Sequence, residues 1–134
     1  MFIKLDLQTN ERQEMLVITD LIREALSDNG VEEGLCFLFC PHTTAGLTIN
    51  SYLDPATAKD LIHEVDRLVP TRTDFIHVFD TPSDAAGHIK ASLVGGQLGL
   101  ILAEGELQLG GSQGIFFWEF DGPRNRHVYL KVLS

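Results

Sequence analysis

The chain has 134 residues and a formal charge of −9, with 44% apolar and 22% charged residues. One domain of this size buries enough surface to fold without a metal or disulfide staple. The acidic balance argues against binding nucleic acid or an anionic membrane, which need concentrated Lys and Arg; an anionic small molecule stays compatible, because a pocket can be locally positive on an acidic protein.

No stretch approaches the ~20 apolar residues of a membrane span. Residues 2–8 alternate, with Ile3, Leu5 and Leu7 opposite Lys4, Asp6 and Gln8, which predicts a half-buried strand. The charges in it break the apolar run that a signal peptide needs, so a cytoplasmic protein is expected. A second strand is expected over 12–18. Thr19 or Asp20 can then cap a short helix carrying Leu21, Ile22, Ala25 and Leu26 on one face, stopped by Asp28-Asn29-Gly30.

Residues 34–40 and 44–50 read as strands, with Pro41 at their junction, where a residue lacking an N–H is tolerated. Cys36 and Cys40, four apart in an extended segment, lie roughly 13 Å from each other. That is too far for a disulfide, so both are read as buried free thiols. "DPATAKDLIHEVDRLVP" is the clearest helix. Asp54 is its N-cap, Pro55 sits at N1, the stripe is Leu61, Ile62, Val65, Leu68 and Val69, and Pro70 ends it.

Residues 71–86 look irregular, with a short extended piece over 75–79. "AGHIKASLVGG" suggests a turn of helix closed by Gly95-Gly96. Gln97–Leu102 and Glu106–Leu109 read as a hairpin. "GIFFWEFD" is a buried strand containing an acid, and Gly122-Pro123-Arg124-Asn125 turns the chain into the last strand, "HVYLKV". The pattern is that of a single α+β domain over 1–134.

Several polar residues do not fit a core. Of the five histidines, His63 falls off its helix stripe and His127 opens a strand beside Arg124 and Arg126; both read as surface or capping residues. His42, His77 and His88 stand at loops or element ends beside small or apolar residues. Three neutral imidazoles with an open fourth position would make a catalytic-type metal site, although their spacing matches no compact ligand motif; the alternative is three hydrogen-bonded loop histidines. Thr43 and Thr44 can bond the backbone at the strand junction or donate to a phosphate oxygen. Asn50, between an apolar strand and the Asp54-Pro55 cap, reads by itself as a turn residue. Glu119 shares a face with Phe117, and a carboxylate on a buried face needs a partner. Gln113 can present an amide, and Arg124 and Arg126 can contact carboxylate or phosphate.

"HTTAGLTIN" followed by an Asp-Pro helix, then "GHIKASLVG", then "GSQGIFFWEFDGPR", occur in that order and resemble the YjbQ-like family over essentially the whole chain. The resemblance implies a single-domain mixed β-sandwich of α+β class with two to three helices, assembled as a homotrimer. It implies thiamine-phosphate synthase-like activity: coupling a pyrimidine diphosphate to a thiazole phosphate and releasing diphosphate. The family's polar signature falls on His42, Thr43, Thr44, Asn50, Asp54, His88, Lys90 and Gln113, with His77 in the variable middle. On this reading His88, Asn50, Asp54 and Lys90 are catalytic and Thr43, Thr44, Gln113 and Arg124 bind substrate. His42, His77 and His88 hold a divalent metal, zinc or magnesium. Two positions depart from the family pattern. Ser51 stands where a Glu follows the Asn, and Ser112 replaces a Trp whose ring could stack on a pyrimidine. These departures favour a different ligand, or a metal- or phosphometabolite-binding module without turnover.

Overall fold

A computed structural model describes residues 1–78 and 81–134. The elements in chain order are β1 (Phe2–Gln8), β2 (Glu14–Val17), α1 (Thr19–Asp28), β3 (Gly34–Phe39), β4 (Ala45–Ser51), α2 (Pro55–Leu68), α3 (Pro82–Val94), β5 (Gln97–Ala103), β6 (Glu106–Leu107), β7 (Gln113–Glu119) and β8 (Asn125–Leu133). Two antiparallel sheets form, one ordered β1-β8-β3-β5-β6 and one ordered β2-β7-β4.

The sheets close on a shared core. Alternation sends Leu5, Cys36, Leu38, Leu100, Val128 and Leu130 inward from the five-stranded sheet, to meet Leu47, Ile115 and Phe117 of the other. α1 adds Ile22, Ala25 and Leu26 to this cluster. Phe116, Trp118 and Phe120 are also buried, though outside that cluster. The successive faces of β7 are thus both covered, which is why "GIFFWEF" reads as an unbroken apolar run. α3 packs along β4 and α2 along β2.

Local chemistry explains most boundaries. The β5–β6 hairpin turns through Glu104 and Gly105, at φ 55° and 75°; two positive φ values in a row make the primed turn that a two-residue loop requires. Asp54 caps α2 by accepting from the Ala56 N–H at 2.9 Å.

Four expectations change. β2 is shorter than 12–18. Thr19 does not cap α1, because its hydroxyl accepts from the Ile115 N–H at 2.9 Å, tying helix to sheet. Residues 75–78 form no strand, and Phe79, the end of the expected extended piece, lies outside the described residues. α3 is a full helix of 13 residues, so His88 and Lys90 lie mid-helix and not at a loop. Its start was concealed by the irregular composition before it, yet Thr81 is a good N-cap and Pro82 a good N1 residue. Both cysteines are buried and free, and His63 is exposed. Among the described residues, no helix is long and apolar enough to cross a membrane.

Candidate functional site

The start of α3 organises the candidate site. The Thr81 hydroxyl accepts from the Asp84 N–H at 3.2 Å and opens the helix. Asp84 and His88, four residues apart, then share one face. The Asp84 carboxylate is nearly buried. Its Oδ2 meets His77 Nε2 at 2.7 Å and His88 Nε2 at 3.3 Å. The two imidazole rings stand edge to face, 5.0 Å between centroids. One ligand atom from each of His77, Asp84 and His88 lies within 4.8 Å of the others. Burial pushes the Asp84 carboxyl up, but the His77 hydrogen bond and the two nearby imidazoles outweigh it and hold the group below its ordinary range.

His88 also lines an open cavity of about 300 Å³ with His42, Thr43, Ala91, Ser92 and Gly96. α3 comes close to β4 here because residue 87 is Gly; a Cβ there would sit 3.3 Å from the Thr44 side chain. His42 is half-buried. Its Nε2 lies 3.0 Å from both the N and the O of His127. Desolvation, then the Arg126 and His127 charges, lower its pKa.

Beneath the cavity is a buried ionic knot. Glu119 is 0% exposed. Its carboxylate is clasped by both the Nε and the Nη2 of Arg126, the former at 2.9 Å, and accepts from the Thr9 hydroxyl at 2.7 Å. Arg126 also donates to Thr44 Oγ1 at 2.8 Å. The partner that Glu119 needed is therefore Arg126, seven residues on, and Thr44 is part of the knot. Thr43 is exposed at the cavity.

The remaining expected site residues go elsewhere. Lys90 is 1% exposed and pairs with Asp66 of α2, which also accepts from Gln13 at 2.7 Å. Arg124 pairs with Asp121 at 2.9 Å. Asn50 accepts from the Ser51 N–H, and Asp54 is the α2 cap. Asn50 and Gln113 lie at the opposite end of the β4–β7 ladder, where Asn50 faces Gly114 and Ser51 faces Gln113, whereas Ala45 faces Glu119. Six residues of strand separate the ends by roughly 20 Å. Gln113 lines a different cavity, of about 450 Å³, with Arg23, Tyr52 and the Gly110-Gly111 turn. Trp118 is buried, so it does not replace the ring absent at Ser112. Asp84 is the residue that sequence reading missed; the signal was its place four before His88 in a helix capped by Thr81.

The structure thus defines a two-sheet α+β domain with a His-Asp-His cluster beside an open cavity. The family model described as UPF0047 protein YjbQ-like matches residues 3–134, and the chain belongs to that family. It is 44% identical to the UPF0047 protein MJ1081 of Methanocaldococcus jannaschii, over 100% of this chain and 95% of that protein. It is 38% identical to YugU of Bacillus subtilis, over 97% of each. Among solved structures, a YjbQ/UPF0047 protein of Clostridium acetobutylicum superposes with a TM-score of 0.89 at 41% identity, covering 98% of this chain and 99% of that one. A YbjQ-like protein of Sulfolobus solfataricus gives 0.92 at 26% identity, covering 100% and 96%.

Proposed function

We propose that His77, Asp84 and His88 hold a divalent cation and that the cavity beside them receives a small phosphorylated metabolite. The observation that carries this reading is the convergence of three ligand atoms within 4.8 Å. Two imidazole nitrogens and one carboxylate oxygen, with a side open, suit zinc of the catalytic type. Magnesium prefers an oxygen shell, so this donor set favours zinc over it. The reaction this site would serve is thiamine-phosphate synthase-like coupling, in which a bound cation supplies charge neutralisation for the departing diphosphate. Thr43 would orient a phosphate oxygen. Arg72 lines a smaller cavity on which His77 also borders, and can approach an anion there. Lys90 is assigned a structural place, because its ammonium is turned into the Asp66 pair.

A second reading is binding without turnover. It is favoured by the absence of any Lys or Arg from the described residues lining the His42–His88 cavity. Elemental analysis of tag-free protein tests the cation: about one zinc per chain in wild type and none in His88→Ala. A coupling assay with zinc-loaded protein then separates the two readings, since product formation supports the enzyme and tight ligand retention without product supports the module.

We also propose a cytoplasmic homotrimer. The outer face of the five-stranded sheet leaves Phe2, Leu35, Phe37, Ile101 and Leu133 exposed, an apolar area that a second copy would cover.

A further inference from the structure

We propose that His42 is a fixed-tautomer hydrogen-bond donor for the anionic oxygen of a ligand in the cavity, and not a ligand of the cation. His42 lies just past the point where β3 leaves its sheet. The last pair of β3 with β8 is Phe39 with Tyr129. The Cys40 N–H continues the pairing on the other edge of β3, to Gly96 O at 2.8 Å beyond the Phe39–Gln97 pair, and on the β8 side Pro41 has no N–H to continue the ladder. The main chain of His127, two residues from Tyr129, meets the His42 imidazole, with Nε2 3.0 Å from its N and from its O.

One nitrogen cannot serve both groups. A backbone N–H is donor-only, and leaving it unpaired is rarer and costlier than leaving a carbonyl under-satisfied. Nε2 therefore accepts from His127 N–H, and a neutral ring must then carry its proton on Nδ1. The ring is held in place by the edge of Phe117 at 6.4 Å and the ring of His127 at 4.8 Å. With Nε2 engaged, the nitrogen left for the cavity is Nδ1, which has no partner among the described residues. A held N–H beside His88 and Thr43 suits an acceptor-only oxygen of a phosphoryl group. This deepens the preceding reading by giving the phosphorylated ligand a contact on the side away from His77.

Long-range proton–nitrogen NMR on the full-length protein with labelled histidines tests the assignment, using inorganic phosphate and zinc as probes. In zinc-free protein His42 should show a protonated Nδ1 and an unprotonated Nε2. Zinc should move the signals of His77 and His88 and leave His42 alone. Phosphate should move the His42 Nδ1–H. His42→Gln keeps an oxygen that can accept from His127 N–H but loses the Nδ1 donor. It should therefore stay folded, hold zinc as wild type does, and bind phosphate about tenfold more weakly. A phosphate shift at His42 without any zinc binding would support His42 and reject the cation reading. A protonated Nε2, zinc on His42, no phosphate response, or wild-type phosphate affinity in His42→Gln would overturn the proposal.

Discussion

Glu119 and Arg126 show what one residue can hold. The pair is withdrawn from solvent, with the carboxylate further bonded by Thr9 and by the Phe120 and Asp121 N–H groups. Removing one charge leaves the other buried and unpaired, which costs about 3–5 kcal/mol. Glu119→Gln should accordingly lose most of the domain's margin in a urea titration. Burial raises the Glu119 pKa, but the Arg126 and Thr9 hydrogen bonds outweigh it, and the folded value lies below the ordinary one. Asp66 and Asp84 behave alike. A carboxylate depressed in the fold contributes stability that is fully present above its unfolded pKa of about 4 and lost as pH falls through the folded value. His42 has the opposite chemistry. Its lowered pKa means that the unfolded chain takes up the proton first. Its stability contribution is complete above about pH 6.5 and falls as pH drops from there toward the folded value. Melting temperatures in zinc-free buffer should therefore decline in two stages, and His42→Gln should remove the upper one. An unchanged upper stage in that variant would mean another group causes it.

At the scale of elements, α2 and α3 are held in different ways. α2 has no fully buried residue. Leu61, Ile62 and Val65 are half-buried, and the helix is tied down by its cap and by Asp66. Asp54→Ala should cost about 1 kcal/mol in thermal or urea melts, the usual loss for an N-cap, with zinc content unchanged. Asp54 would then be a cap and not a catalytic group. Lys90→Met removes the charge but keeps the volume. Asp66 is partly exposed and keeps Gln13, so it can be resolvated. The expected loss is below about 1.5 kcal/mol, with zinc binding and any coupling activity retained. Abolished activity at full stability would return Lys90 to the catalytic group. α3 is the element that sequence reading shortened. Its hydrophobic spacing is weak because it carries small residues against β4 and the His88 imidazole outward; the start was legible only in Thr81-Pro82.

Across the whole molecule, the five-stranded sheet carries apolar side chains on both faces, the outer ones mixed with the exposed Lys4, Asp6 and Lys131. The inner face makes the core, and the outer face carries Phe2 against Tyr129 at 5.3 Å and Phe39 stacked on Tyr129 at 6.5 Å. This aromatic row runs on to His127, 5.2 Å from Tyr129, and so to His42. If copies assemble through this face, the candidate cavity lies at the rim of the contact. Phe37→Glu, at the middle of the face, should convert a sedimenting trimer to monomer while leaving the fold intact, since Phe37 points away from the core. A wild-type monomer, or a Phe37→Glu trimer, would remove this face from the assembly. The polar signature also divides at this scale. His42, Thr43, Thr44 and His88 gather at one end of the β4–β7 ladder and Asn50, Asp54 and Gln113 at the other, a separation invisible in one dimension.

The sequence alone determined the strands with clean alternation, the capped α2, the free thiols, the family, and the burial of Glu119. The family rests on the resemblance of three motifs taken in order along the chain; the others rest on periodicity, cap chemistry or local spacing, which act over a few neighbours. Only the tertiary structure decided the rest. It joined Asp84 to His77 across the end of α3, drew Arg126 onto Glu119, turned Lys90 inward to Asp66, and set His42 against the main chain of His127. Those outcomes depend on which buried polar groups meet when distant segments close. A charge or N–H taken from water must find its partner in space, and spacing along the chain does not say where that partner is.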